Sequence, residues 1–175
     1  MRNVCKNYCC TPFLGSMNSR TDFKQTPASL LAALVQGAHE ARGRSYSPYS
    51  KAQVGAAVRS ATGAVYSGCN IENSSFGGTV CAERVAIWNG VATEGPSFKL
   101  AEVAVSTDAS PPWTPCGLCR QVMAEFGSQT TVVVCENPSG ERIQHPLGAL
   151  IPFAFLPDQL TAHMAKANSR GQSGK

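Results

Sequence analysis

Apolar residues recur at helical spacing in three parts of the chain. Thr26 followed by Pro27 reads as an N-cap with proline at the first helical position, and the pattern that follows predicts a helix ending near Gly43. A second helix is predicted over residues 79–92 and a third over residues 116–126, each followed by a glycine that stops the pattern. Long stretches without this helical spacing therefore separate the predicted helices.

Those stretches carry short runs of β-branched and apolar residues. Residues 54–58 and 64–69 form a predicted hairpin, because Gly63 between them supplies the backbone freedom of a tight turn. Further strands are predicted over residues 100–106 and 130–135. Strands that alternate with helices predict a layered α/β domain.

Both ends of the chain lack this patterning. We expect residues 1–25 to form a flexible N-terminal extension and residues 26–168 to form the folded domain. A short helix is expected from residue 158 to about residue 167, and the Ser/Gly-rich residues 169–175 are expected to form a flexible tail.

Composition narrows the class of protein. The chain has 175 residues, of which 43% are hydrophobic and 15% charged, as in an ordinary globular domain. The net charge of +4 is scattered, which argues against a nucleic-acid partner and favours a small molecule. No apolar run has the length of a membrane span or a secretory signal, so we expect a soluble, cytoplasmic protein without a membrane partner.

Three of the eight cysteines suggest a metal site. Cys116 and Cys119, at i and i+3 of a helix start, face the same side and can share one ion, and Cys81 at another helix start can supply a third thiolate. Three protein ligands leave tetrahedral Zn²⁺ one position for water. Glu83, two residues after Cys81, can stand beside the metal as a proton shuttle.

Other interpretations of the cysteines stay open. A Cys-x-x-Cys pair can be redox-active, and cysteines can form disulfides, although the separate Cys81 and Glu83 favour a metal. A closed structural zinc site, as in a zinc-stabilised binding module, would need a fourth protein ligand. The remaining cysteines and histidines considered for that place do not stand at ligand-like spacing: Cys69, Cys135, His39, His145 and His163.

Five segments together resemble the homotetrameric zinc-dependent cytidine deaminase family. They occur in order and at the expected spacing, and they are Pro48-Tyr49-Ser50, Val54-Gly55-Ala56-Ala57, Gly68-Cys69-Asn70-Ile71-Glu72-Asn73, Cys81-Ala82-Glu83-Arg84 and Pro115-Cys116-Gly117-Leu118-Cys119-Arg120-Gln121. The resemblance implies a three-layer α/β/α sandwich around a mixed sheet. It also implies one zinc per subunit and a homotetramer with shared active sites.

The resemblance assigns roles to individual residues. It implies that Cys81, Cys116 and Cys119 hold the zinc, and that Glu83 carries protons while a metal-activated water replaces the amine at C4 of cytidine or 2′-deoxycytidine. Three thiolates and Zn²⁺ have a net charge of −1, which Arg84 would balance. Asn70 and Glu72 would hold the ribose hydroxyls, and backbone groups of Ala82 and Thr114 would bind the base.

Three positions depart from the family pattern. Ala52 stands where the family usually has a phenylalanine that packs on the pyrimidine, and Phe76 stands where it usually has a tyrosine. Phe155 matches a phenylalanine that reaches a neighbouring subunit's site, but Leu156 replaces the glycine after it. Ala52 suggests a widened pocket and an alternative preference for C5- or N4-substituted cytidines. Polynucleotide deaminases usually have histidine where Cys81 stands, and the intact residues 70–73 favour a simple nucleoside over an antibiotic substrate.

Overall fold

The computed structural model describes residues 27–172, so the extension predicted for residues 1–25 lies outside the described residues. Five helices and five strands follow one another along the chain. The helices are α1 (Ala28–Arg42), α2 (Ala82–Glu94), α3 (Gly117–Phe126), α4 (Leu147–Leu150) and α5 (Pro157–Gln172). The strands are β1 (Val54–Ser60), β2 (Val65–Cys69), β3 (Leu100–Thr107), β4 (Val132–Glu136) and β5 (Arg142–Pro146).

The strands form one mixed sheet in the order β2-β1-β3-β4-β5. β1 pairs antiparallel with β2 and β3, and β5 pairs antiparallel with β4. β3 and β4 are parallel, and the connection between them contains α3. The predicted hairpin is therefore confirmed, and the sheet is mixed as expected.

Helices cover both faces of this sheet. On one face, α1 packs its Leu34, Val35 and Ala38 against Ala57, Ala104 and Val134 of the three central strands. On the other face, α2 and α3 pack on the neighbouring residues of the same strands, among them Val58, Val103 and Val133. Successive residues of a strand point to opposite faces, so each central strand contributes to both cores. The three-layer α/β/α architecture is confirmed.

The start of α2 differs from the prediction. The helix begins at Ala82 rather than at residue 79, because Val80 and Ile71 exchange two backbone hydrogen bonds of 2.9 Å. This isolated bridge holds Val80 in an extended segment. Cys81 is consequently the N-cap of α2 instead of lying in its first turn, whereas Glu83 does lie in the first turn.

Other boundaries also differ. The sequence pattern missed β5, since this edge strand has Ile143 as its one β-branched residue, ends in a proline and is at least partly exposed throughout. α1 begins one residue later than predicted, with Pro27 as its N-cap. α5 continues past residue 167 to Gln172, so residues 169–172 of the expected tail are helical, in a segment with several good helix formers. Among residues 27–172, no helix combines the length and apolar character needed to cross a bilayer.

A close approach between α2 and β2 positions the helix start on the sheet. A Cβ added at Gly68 would lie 2.5 Å from the backbone nitrogen of Ala86 and 2.9 Å from the carbonyl oxygen of Ala82. These are backbone atoms of the helix, so a side chain at this position cannot be accommodated by a rotamer change. The absence of a side chain at Gly68 thus allows α2 to lie directly on the strand.

We expect Gly68→Ala to push α2 away from the sheet and to lower the free energy of unfolding by roughly 1–3 kcal/mol or more, the usual cost of overpacking. Urea unfolding at equilibrium measures this change. Gly43→Ala is the matched control, because φ is −62° there and the new Cβ would meet Glu40 at an ordinary 3.6 Å. Equal unfolding free energies for the two variants would contradict the close-packing argument.

Candidate functional site

The three predicted ligand cysteines meet between the starts of α2 and α3. Cys81 is the N-cap of α2, Cys116 is the N-cap of α3, and Cys119 lies in the first turn of α3. Their sulfur atoms all lie within 4.8 Å of one another, and those of Cys81 and Cys116 are 3.8 Å apart. Zn–S bonds of about 2.3 Å at a tetrahedral angle place two sulfurs about 3.8 Å apart. The three thiols therefore fit a zinc ion.

The electrostatics of the cluster favour the thiolate form of Cys81. A hydrogen bond from the Cys119 thiol, together with bonds from Arg84 and Cys116, lowers the pKa of Cys81 to about 5. The same bond and burial raise the pKa of the Cys119 thiol. The helix start adds unpaired backbone N–H groups near Cys81, which also stabilise negative charge. The thiolate is the form of cysteine that binds metal.

Arg84 lies against this cluster, as the charge argument predicts. Its guanidinium donates to the Cys81 sulfur over 3.8 Å and to the carbonyl oxygen of Thr79 over 3.2 Å. It also lies 5.8 Å from the ring centre of Trp88, one helical turn further along α2. The arginine is therefore held between a ligand sulfur and an aromatic ring.

Glu83 is almost completely buried, with 4% of its surface exposed, and lines the same cavity as Cys81 and Cys116. Burial raises the pKa of Glu83 to about 7, and the nearby Cys81 charge acts in the same direction. A carboxyl group with such a pKa can accept and release a proton near neutral pH. The structure thus brings this buried carboxyl group and the cysteine cluster to one place.

The cavity has a volume of about 190 Å³ and combines apolar walls with a few polar groups. Val54 and Val105 supply apolar surface, while Asn70 and Thr114 add polar groups to the lining. Asn70 is 8% exposed; its amide oxygen accepts from the Val54 backbone over 2.8 Å, and its amide nitrogen donates to the Ala52 carbonyl over 2.9 Å. The amide is therefore fixed at the cavity wall.

Sequence reasoning did not single out Trp113, which also lines this cavity. It lies immediately before the Thr114-Pro115-Cys116 segment, so its closeness to a ligand cysteine was the available signal. The backbone nitrogen of Trp113 donates to the Thr107 hydroxyl over 3.1 Å. This bond attaches the loop to the end of β3.

A second cavity, of about 460 Å³, adjoins the first, since Thr79 lines both. Glu72 and Phe76 line it, together with Tyr49 and Ser50. Glu72 accepts hydrogen bonds from the backbone nitrogens of Tyr49 and Ser50 and from the Ser50 hydroxyl. The Ser50 hydroxyl and these backbone bonds lower the pKa of Glu72. Asn70 and Glu72 thus lie in neighbouring cavities rather than in one.

Three other positions that the family resemblance singled out are Ala82, Ala52 and Phe155, and they differ in burial and in their relation to the cavities. Ala82 is fully buried at the first position of α2, between a ligand cysteine and Glu83. Ala52 is not among the described residues that line either cavity, and its carbonyl oxygen holds Asn70. Phe155 is 58% exposed, and the Gln121 side chain donates to its carbonyl oxygen over 2.7 Å. Within the described residues, Phe155 does not line the cavity of its own chain.

Arg120 fixes the loop that carries Cys116. It donates to the carbonyl oxygen of Pro115 over 2.6 Å and to the hydroxyl of Thr114 over 2.8 Å. A third bond, of 2.7 Å, reaches the carbonyl oxygen of Leu150 at the end of α4. The loop that leads to Cys116 is therefore held in place by the single guanidinium group of Arg120.

Comparison with known proteins agrees with this geometry. The sequence model described as "Cytidine and deoxycytidylate deaminase zinc-binding region" matches residues 29–135, which include the three cysteines, Glu83 and Arg84. The chain belongs to this deaminase family. Zinc is accordingly the metal of the cysteine site, because the family is zinc-binding and the three sulfurs have the spacing that a zinc ion requires.

Individual members of the deaminase family match most of the folded part. The chain is 41% identical over 128 residues to a cytidine deaminase of Sporosarcina psychrophila, covering 73% of this chain and 93% of the relative. It is 42% identical over 127 residues to a cytidine deaminase of Halalkalibacterium halodurans, covering 73% and 95%. The crystal structure of cytidine deaminase from Burkholderia pseudomallei superposes with a TM-score of 0.68 at 42% identity, covering 71% of this chain and 98% of that one.

The cysteine geometry predicts one zinc per chain, and Cys119→Ser should lose it, because a neutral hydroxyl replaces a thiolate ligand. Elemental analysis of the purified protein measures the metal content. Cys69→Ser is the control: the Cys69 thiol donates only to the Arg44 carbonyl oxygen, 3.2 Å away, which a serine can also do. Equal zinc content in both variants would exclude Cys119 as a ligand.

Arg84→Gln should keep the fold but weaken zinc retention, since the hydrogen bond that stabilises the Cys81 thiolate is lost. Outer-shell substitutions of this kind typically cost about 10–100-fold in metal affinity or activity. The rate of zinc transfer to a chromophoric chelator measures the effect. Arg44→Gln, which changes an exposed arginine, provides the comparison and should transfer zinc at the unmodified rate. Equal rates for both variants would argue against the role of Arg84.

Proposed function

We propose that the protein catalyses the hydrolytic deamination of cytidine and 2′-deoxycytidine to uridine and 2′-deoxyuridine, with release of ammonia. The observation that carries this proposal is the cavity in which Glu83 stands beside the thiols of Cys81 and Cys116. The relatives named cytidine deaminase, which match most of the domain, support the choice of substrate. The enzyme would then be a hydrolase of cytoplasmic pyrimidine salvage.

Cys81, Cys116 and Cys119 would hold the zinc, which would polarise a water molecule, and water is the source of the oxygen that C4 of the pyrimidine gains. Glu83 accepts a proton released from that water and delivers it to N3 of the ring. It then takes the proton of the new C4 hydroxyl group and gives it to the amine at C4, so that the C4–N bond breaks, the C4 carbonyl forms and ammonia leaves. Arg84 balances the negative charge of the three thiolates by its bond to Cys81. Each step needs Glu83 within reach of the base.

We assign the nucleoside contacts to residues of the two adjoining cavities. In Asn70, one amide hydrogen and one oxygen lone pair are used inside the protein, which leaves one of each for a sugar hydroxyl. Glu72, a hydrogen-bond acceptor, and Phe76 line the adjoining cavity. The backbone N–H of Ala82 belongs to the unpaired groups of the helix start. Thr114 lines the first cavity, the one that contains Glu83. These groups would bind ribose and base.

A homotetramer with shared active sites is the assembly we propose. Phe155 supports it, because this exposed aromatic ring follows a fully exposed Phe153 and both need burial that a second chain can supply. We also propose that residues 26–168 form the catalytic domain and that the N-terminal extension precedes it. Size-exclusion chromatography with light scattering measures the assembly, and a monomer with full activity would exclude shared sites.

We expect Glu83→Gln to lose about 10²–10⁴-fold in ammonia release from cytidine, the usual contribution of general acid–base catalysis, while one zinc stays bound. Glu125→Gln, an exposed change on α3, serves as the control and should keep full activity. A coupled ammonia assay and elemental analysis on the same samples measure both quantities. Full activity of Glu83→Gln would exclude the proposed role of this carboxylate.

The same assay separates two other functions. Ammonia release that is faster from C5- or N4-substituted cytidines than from cytidine would favour the widened-pocket hypothesis, and Ala52→Phe should then reverse the preference. A protein with one zinc per chain that releases no ammonia from any aminopyrimidine nucleoside would instead be a zinc-stabilised binding module.

A further inference from the structure

Trp113 is an exposed aromatic side chain beside the cavity whose polar groups were assigned above to the metal, to proton transfer and to the nucleoside. The residue is 54% exposed although it lines the cavity that contains Glu83, Cys81 and Cys116. Among the residues that line this cavity, in the part of the chain that the structure describes, Trp113 is the only aromatic one. A large apolar side chain left half in solvent at such a place has surface available for a ligand.

The backbone of Trp113 is held on both sides. Its own nitrogen donates to Thr107, which is 1% exposed and lines the cavity as well. The following residues, Thr114 and Pro115, are bonded to the Arg120 guanidinium. The loop therefore presents the indole without having to become ordered when a ligand binds, which reduces the entropic cost of binding.

The chemistry of the cavity indicates what this ring contacts. The metal ligands, Glu83 and Asn70 can bind the polar edge of a base, but they offer nothing to its flat face. Every nucleobase has a π-face, and stacking of a base on an aromatic side chain contributes strongly to binding. We propose that the indole of Trp113 packs against the pyrimidine ring of the nucleoside and acts as a substrate-binding residue. This inference rests on the proposed function and adds the residue that binds the face of the base.

Fluorescence isolates this contact, because Trp88 and Trp113 are the two tryptophans of the chain. In Trp88→Phe, all tryptophan emission comes from Trp113. Uridine, and cytidine added to the further variant carrying Glu83→Gln, should quench this emission and protect the indole from acrylamide. Ribose should do neither, since it lacks the base. Quenching by ribose as strong as that by uridine would overturn the proposal.

Kinetics provide the second measurement. Trp113→Leu keeps apolar bulk without a π-face, and Trp113→Phe keeps a stacking ring. We expect KM for cytidine to rise roughly 5- to 100-fold in Trp113→Leu and clearly less in Trp113→Phe. Zinc content and the unfolding midpoint of each variant check that the site and the fold are intact. Equal KM values for leucine, phenylalanine and tryptophan at position 113 would overturn the proposal.

The two experiments separate this inference from the function on which it rests. If uridine quenches the emission of Trp88→Phe but the unmodified protein releases no ammonia from cytidine, Trp113 binds the base and the deaminase activity is wrong. If ammonia is released while the emission is unchanged by uridine and KM is unchanged in Trp113→Leu, the deaminase activity stands and the role of Trp113 is wrong.

Discussion

The meeting of two helix starts is the constraint on which the rest of the site depends. Cys81 and Cys116 occupy the N-cap positions of α2 and α3, where a side chain lies next to backbone N–H groups that have no partner within the helix. Neither cysteine makes the side-chain capping bond that serine or aspartate would make there. The two thiols therefore face each other and can bind a shared metal. The first turn of α2 places Glu83 beside them.

Much of this arrangement can be predicted from the sequence because it depends on short-range spacing. Cys116 and Cys119 stay three residues apart even if the predicted start of α3 is wrong by a residue or two. Glu83 likewise stays beside Cys81 whether α2 begins at residue 79 or at residue 82. The layered α/β class likewise follows from the alternation of strand and helix patterns. These features tolerate inexact boundaries, which are the least certain part of such predictions.

Other features depend on contacts between residues that are distant in sequence, and the sequence pattern did not contain them. The bridge between Val80 and Ile71 shortens α2, although residues 79–81 fit a helical pattern locally. The strand β5 forms because β4 offers it an edge, not because its own residues favour a strand. Trp113 lines the cavity because distant residues, Thr107 at the end of β3 and Arg120 on α3, hold its loop, and no local periodicity marks such a residue.

Residues at the start of α3 also make hydrogen bonds to two parts of the molecule, the loop before Cys116 and the exposed segment that contains Phe155. Arg120 binds the loop before Cys116 and the end of α4, and the next residue, Gln121, binds the backbone of the exposed Phe155. Leu150 is thus connected through Arg120 to the loop that carries Cys116, and Phe155 is connected through Gln121 to the helix that carries Cys119. A shift of this surface segment would therefore be met first by two side chains that adjoin the ligand cysteines.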